Sequence, residues 1–446
     1  MTEFQIYLTY AVFAAVILAI AFDLVDMLLA ALLGVAVLIM AGAYHAQDVL
    51  NVTRTAGGPI ALLFGGMVVA RVLAPTGVFD WVGTHYLRFT RGSGKRFLLG
   101  LMLLVAPLCA VLPNATTVVL LAPIIIRVAK ALKVDIVGPL VLAAIISNSA
   151  GLLTLVGDPA TFLVGSSIGM TFGDYLQKVS LGGLLSLLVL VPLLPRLMPE
   201  VWQARRELPA KMRAPAIKRP VFAAVALLVL LVMVLLFLFG EEIPVQIVPP
   251  AVAIVGAALA LLVVQGAKVE PVDKVVQDVD WKTLLFLTLL FTLVDAFSRT
   301  GLLQNLAQTL HDWFGTHLLA VALVTLAGVG LASSLLANIP VVAAMLLMVK
   351  GYLIIAGLVP EQALDPTFAE WPGQVLPLFI AMMFAGTLGG NATLIGASAN
   401  VVSAGICAAN GRPVSFLGFM RYGVPVVIVQ LSFSALYVTA LHFLIH

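Results

Sequence analysis

Apolar stretches of about 20 residues recur along the whole chain, and a helix of that length crosses the hydrocarbon core of a bilayer. Hydrophobic residues make up 62% of the 446 residues and charged residues 10%, whereas a soluble domain carries roughly a quarter of its residues as charges. A chain this poor in polar surface must satisfy its backbone within helices while it faces lipid. The expectation is an all-α polytopic membrane protein of about ten crossings, with no separate soluble domain. The net charge of +3 decides little, because the placement of Lys and Arg, not their sum, sets orientation. Cys109 and Cys407 lie far apart in apolar surroundings, which is neither a disulfide framework nor a metal-ligand spacing; no metal, cofactor or nucleic-acid partner is expected. Met1-Thr2-Glu3 lacks the basic region of a cleavable signal, so the first apolar stretch is expected to stay as a helix.

Helices are expected at 5–22, 24–43, 57–75, 136–165 (interrupted) and 178–196, then at 221–240, 248–267, 283–300, 373–409 (interrupted) and 422–443. Between the third and fourth span of each set lies an apolar stretch of hairpin length, 97–130 and 319–350. Loop 196–219 holds Arg196, Arg205, Arg206, Lys211, Arg213, Lys218 and Arg219, which assigns it to the cytoplasm of a multi-pass inner-membrane protein. Counting back, 84–96 (Arg88, Arg91, Lys95, Arg96) and 127–133 (Arg127, Lys130, Lys133) fall on the same side, and both are basic. The stretch between them must then enter and return on one side, as a re-entrant hairpin with its tip near Pro113-Asn114. Irregular backbone at that depth is tolerated only in protein or along a cavity.

A shift of 224 residues superposes Thr76-Gly77 on Thr300-Gly301 and Asn114 on Asn338. After a longer loop the shift becomes 239, carrying Gly151, Thr154, Leu155, Gly157 and Ala160 onto Gly390, Thr393, Leu394, Gly396 and Ala399. Residues 1–198 and 221–446 are therefore expected to be two repeats joined by a basic linker, 199–220. Five crossings in the first repeat invert the second. The loop charges agree: 308–320 and 351–357, equivalent to the basic 84–96 and 127–133, hold no Lys or Arg. Inverted repeats with interrupted helices are a hallmark of secondary transporters, whose site lies near the midplane between the repeats.

Four polar islands interrupt the apolar sequence. Two are hairpin tips, Pro113-Asn114-Ala115-Thr116-Thr117 and Ala337-Asn338-Ile339-Pro340. Two are helix breaks: Ser147-Asn148-Ser149-Ala150-Gly151 through Gly157-Asp158-Pro159, and Gly389-Gly390-Asn391-Ala392-Thr393 through Gly396-Ala397-Ser398-Ala399-Asn400. Glycine lets the backbone unwind, Asn, Ser and Thr offer neutral donors and acceptors, and half-helix N-termini suit an oxyanion or a polyhydroxy solute. Candidate solute and ion contacts are thus Asn114, Thr116, Thr117, Asn148, Ser149, Thr154, Gly157, Asp158, Asn338, Asn391, Thr393, Gly396, Ser398 and Asn400. Asp158 has two compatible readings, the cap of the second half-helix ahead of Pro159 and a carboxylate that couples transport to H+ or Na+. Asp295, equivalent to Arg71, is expected to pair with it between scaffold helices. Asp23 and Asp26 fall at a tight turn, and Trp81–Arg96 reads as a helix lying in the membrane surface.

At these islands the chain resembles the ion transporter superfamily, in the branch of arsenical pump membrane proteins, P-protein-like permeases and silicon effluxers with a citrate-transporter-like domain. The run Leu388-Gly389-Gly390-Asn391-Ala392-Thr393-Leu394-Ile395-Gly396-Ala397-Ser398-Ala399-Asn400-Val401-Val402 carries the likeness most specifically, and the likeness extends over essentially the whole chain. It implies a homodimer with scaffold and transport domains, an elevator-like movement, and any ATPase as a separate subunit. Members often have Ile-Gly and Pro-Asn where this chain has Ser149-Ala150 and Ala160-Thr161, and Asp where Pro113 and Ala337 stand. Asp158 is then the nearest carboxylate in the motifs.

Three transport activities fit this chemistry. Proton-driven efflux of arsenite or antimonite comes first, since arsenite at neutral pH is an uncharged trihydroxide that Asn, Ser and Thr bind without thiolates. Sodium-coupled uptake of a di- or tricarboxylate is second; no Arg or Lys sits in any island, so such an anion relies on backbone N–H groups and co-bound cations. Sodium–proton exchange is third. The chain has no phosphate-binding glycine loop and no nucleophile–base spacing, and an enzyme is not expected.

Overall fold

A computed structural model describes all residues except 22–23, 46–47, 208–216, 218, 366–367, 369 and 446. Asp23, Lys211, Arg213 and Lys218 lie outside the described residues. Helices α1 (Glu3–Ala21), α2 (Met27–Met40) and α3 (Asp48–Leu73) open the chain. A surface helix follows, α4 (Val78–Thr90), then the arms of a hairpin, α5 (Gly94–Cys109) and α6 (Asn114–Leu132). The first interrupted helix is α7 (Val137–Ala150) and α8 (Pro159–Ser167). Short α9 (Phe172–Lys178), α10 (Ser180–Leu188), α11 (Leu194–Leu197) and α12 (Pro199–Gln203) lead into the linker.

The same order returns. Helices α13 (Pro220–Phe239), α14 (Pro249–Ala267), short α15 (Val272–Gln277) and α16 (Trp281–Ser298) precede the surface helix α17 (Leu302–Phe314). The second hairpin is α18 (Leu318–Leu335) and α19 (Asn338–Ile355), the second interrupted helix α20 (Leu376–Gly389) and α21 (Ser398–Ala409), and α22 (Phe416–Ile445) closes the fold. Ten helices among the described residues are long and apolar enough to cross a membrane. That number includes three hairpin arms, since length and composition cannot separate a re-entrant arm from a crossing.

The repeats match down to single hydrogen bonds. Ahead of α4, Thr76 Oγ1 donates to Leu73 O at 2.6 Å and Gly77 turns the chain at φ +79°. Ahead of α17, Thr300 Oγ1 donates to Phe297 O at 2.7 Å and Gly301 turns it at φ +83°. A side chain there would be strained. Packing is exchanged between repeats: α3 lies on α14 and α16 on α2, α8 on α19 and α21 on α6.

Ion pairs give the relative direction of α3 and α16. Arg71, near the end of α3, sits 2.9 Å from Glu270 and 2.7 Å from Asp278, just ahead of α16. Arg299, at the end of α16, pairs with Asp48, the first residue of α3, and with Asp295. The two helices are antiparallel. This corrects the expected Arg71–Asp295 pair: equivalent positions on antiparallel helices stand at opposite ends, and each is neutralised locally. Asp26 caps α2 through Leu28 N and Leu29 N, and its hydrogen bond from Lys282 holds its carboxyl below the usual range.

Candidate transport site

The four islands meet. In the first break, Thr154 Oγ1 donates to Ala110 O at the first hairpin. In the second, Thr393 Oγ1 donates to Ser334 O at the second hairpin. These are equivalent bonds under the sequence offsets, and they tie each break to its own hairpin. Gly157 and Gly396 close back on Gly151 and Gly390, with Gly157 N donating to Thr154 O at 3.2 Å and Gly396 N to Thr393 O at 3.4 Å. Thr154, Thr393, Gly157 and Gly396 thus shape the breaks.

Two equivalent contacts then join the repeats. Asn148 Nδ2 donates to Asn400 Oδ1 at 3.0 Å and to Asn391 Oδ1 at 3.0 Å. The 239-residue offset carries Asn148 onto Thr387 and Thr161 onto Asn400, and Thr161 Oγ1 lies 3.1 Å from Thr387 Oγ1. Around the first contact every amide NH2 spends both hydrogens. Asn391 Nδ2 donates to Ser149 Oγ at 3.0 Å and to Gln430 Oε1 at 3.1 Å. Gln430 Nε2 donates to Ser149 Oγ at 2.9 Å and Ser186 O at 3.0 Å. Asn400 Nδ2 donates to Gly390 O and Thr393 O, both at 2.8 Å, occupying carbonyls that the broken helix leaves free. Buried polar groups in lipid demand such partners.

The second contact carries the charge. Asp158 is 2% exposed. Its Oδ2 accepts from Thr387 Oγ1 at 3.0 Å and Thr161 Oγ1 at 3.3 Å, and its Oδ1 accepts from Asn338 Nδ2 at 3.4 Å. It stands at the N-cap position of α8, yet its side chain makes no main-chain capping bond; it accepts from Thr161 of its own half-helix and from Thr387 and Asn338 of the other repeat. Among the described residues no Lys, Arg or His pairs with it.

The equivalent corner around the first hairpin has Ala397 in place of the carboxylate. There Asn114 Oδ1, Thr117 Oγ1 and Ser403 Oγ are buried and make no hydrogen bond within the protein. Asn114 and Thr117 are three residues apart on α6, as Asn400 and Ser403 are on α21, and the two helices pack beside Val118 and Ala399. Thr116 is half-buried next to this face, while Ser398 is exposed at the start of α21 and joins none of these contacts. Gln430, Thr387 and Ser403 were not anticipated. Their signal was a polar residue set among apolar neighbours, most visible for Gln430 after Val426-Val427-Ile428-Val429.

Interrupted helices facing paired hairpins, with neutral hydrogen-bonding groups and one carboxylate between them, define a membrane transporter. Residues 16–366 match the family described as "Citrate transporter", and the chain belongs to that family. It is 41% identical over 433 residues to "Uncharacterized transporter slr0753" of Synechocystis, covering 97% of this chain and 96% of that one. The human P protein is 27% identical over 522 residues, covering 99% of this chain and 60% of the P protein. The YdaH transporter of Alcanivorax borkumensis, whose topology is described as unusual, shares the fold with a TM-score of 0.56 at 14% identity, over 89% of this chain and 88% of that one.

Proposed function

We propose that the chain is a proton-coupled secondary carrier of a small polyhydroxy solute, arsenite or antimonite, which it exports across the inner membrane as a homodimer. Residues 1–198 and 221–446 act as inverted repeats about the linker 199–220, and the broken helices with their hairpins move together as an elevator against α1–α3 and α13–α16. The observation that carries this reading is Asp158, a buried carboxylate held only by neutral groups from both repeats and from a hairpin tip. An intramembrane carboxylate of this kind is suited to carry a proton. The unpaired Asn114, Thr117 and Ser403 oxygens accept or donate hydrogen bonds to hydroxyls without demanding a charged partner. Arsenite accumulation in cells lacking their own efflux system tests the reading. Lower accumulation with the chain, reversed on collapsing the proton gradient, is the expected result; unchanged accumulation with well-expressed protein removes it.

A tricarboxylate is the second reading, favoured by the description of the family that matches. It needs co-bound cations, because the islands hold no basic side chain. Sodium-dependent citrate uptake into proteoliposomes, with no response to arsenite, decides for it.

A further inference from the structure

Away from this site, the turn between α4 and α5 meets the linker in a groove of about 590 Å³. Its lining is basic, with Arg91, Lys95, Arg96, Arg205 and Arg206 set against one acid, Glu207. All five cations are exposed, and none is in an ion pair among the described residues. The groove is built by main-chain docking. Gly94 N donates to Ala204 O and Arg206 N to Gly92 O, each at 2.9 Å. A Cβ on Gly92 would stand 1.7 Å from Arg206 O, and one on Gly94 1.6 Å from Val201 O, so only glycine lets the linker lie this close. Lys95 lies over the Trp202 ring, 5.4 Å from its centre. Five like charges gathered on a fixed frame repel one another, and a bound anion relieves that repulsion.

The neighbouring surface says which anion. Leu99 is the one apolar side chain lining the groove. Leu103, one turn further along α5, is 74% exposed, and Phe89 of α4 is 51% exposed. One helix face thus runs from Lys95 and Arg96 to bare leucine, from charge to hydrocarbon. A soluble phosphate has no use for the second half of that face.

We propose that the groove seats the phosphate head of an anionic phospholipid, its acyl chains lying along Leu99, Leu103 and Phe89. The bound lipid clamps the linker to the first hairpin on the side that the basic loops assign to the cytoplasm, where anionic lipids attract basic segments.

Native mass spectrometry of the full-length protein in detergent, titrated with phosphatidylglycerol, phosphatidylcholine and inorganic phosphate, tests it. Phosphatidylglycerol should be retained at least about tenfold better than phosphatidylcholine and should resist millimolar phosphate. Arg96→Gln with Arg206→Gln should bring that preference close to parity, at about fivefold per lost charge, with an unchanged melting temperature. Should that pair fail to fold, Arg91→Gln with Lys95→Gln gives the same reading from the α4–α5 wall alone. Leu103→Gln, which keeps every cation, should weaken retention of the two-chain lipid. Equal retention of the two lipids, or a preference untouched by charge removal, overturns the proposal. Displacement by inorganic phosphate also overturns it and assigns the groove to a soluble phosphate compound.

Discussion

Two asparagines that look alike in sequence do different work. Asn400 spends both amide hydrogens on main-chain carbonyls of its own break and accepts from Asn148. Asn400→Ala should therefore cost about 2 kcal/mol or more through stranded buried polar groups, seen as a lowered melting temperature of the purified protein together with lost transport. Asn114 Oδ1 has no partner to lose. Asn114→Ala should leave melting nearly unchanged and still cut transport at least about tenfold, the equivalent of one hydrogen bond of ~1.4 kcal/mol to the solute; full transport would show that this face does not touch it. Asp158→Asn keeps a hydrogen-bonding side chain between Thr387 and Asn338 but cannot release a proton, so the pH dependence of transport should flatten while melting stays close to wild type. A variant with an unaltered pH profile would sink the coupling role of this residue.

At the scale of elements, each helix break is pressed by a glycine of a neighbouring helix. A Cβ on Gly183 of α10 would fall 2.6 Å from Leu152 O, and one on Gly423 of α22 would fall 2.2 Å from Asn391 O. Both would strike main chain, which cannot swing aside. Gly423→Ala should accordingly destabilise by about 1–3 kcal/mol and weaken transport, with circular-dichroism melting and uptake measured side by side; an indifferent variant would mean that the break yields freely. The breaks and tips were legible in the sequence because glycine and amides in an apolar run have no other use in lipid. The partners were not. Gln430 and Thr387 lie outside the glycine- and amide-rich runs, and only the folded chain shows that Gln430 closes the amide network and Thr387 reaches Asp158. Arg71 and Asp295 misled because equivalence in sequence was read as proximity, when antiparallel helices separate equivalent positions.

Over the whole molecule, the antiparallel α3 and α16 and the exchanged packing support a second repeat turned over in the membrane. The prediction is topological. Cys109 and Cys407 are both buried, so an added thiol would report alone. In intact cells an impermeant thiol reagent should label Gln308→Cys in α17 and spare Lys95→Cys in α5, and permeabilised cells should label both. Labelling of both from outside would place the equivalent loops on one side and end the inversion. The Asp158 corner and its Ala397 counterpart also break the symmetry in a way that voltage can sense. Each elementary charge carried through a 100 mV potential exchanges about 2.3 kcal/mol with it. If the broken helices and hairpins travel as proposed, Asp158, the one ionisable side chain in the four islands, adds or withholds one elementary charge according to its proton, and the two legs of a transport cycle need not respond to voltage alike.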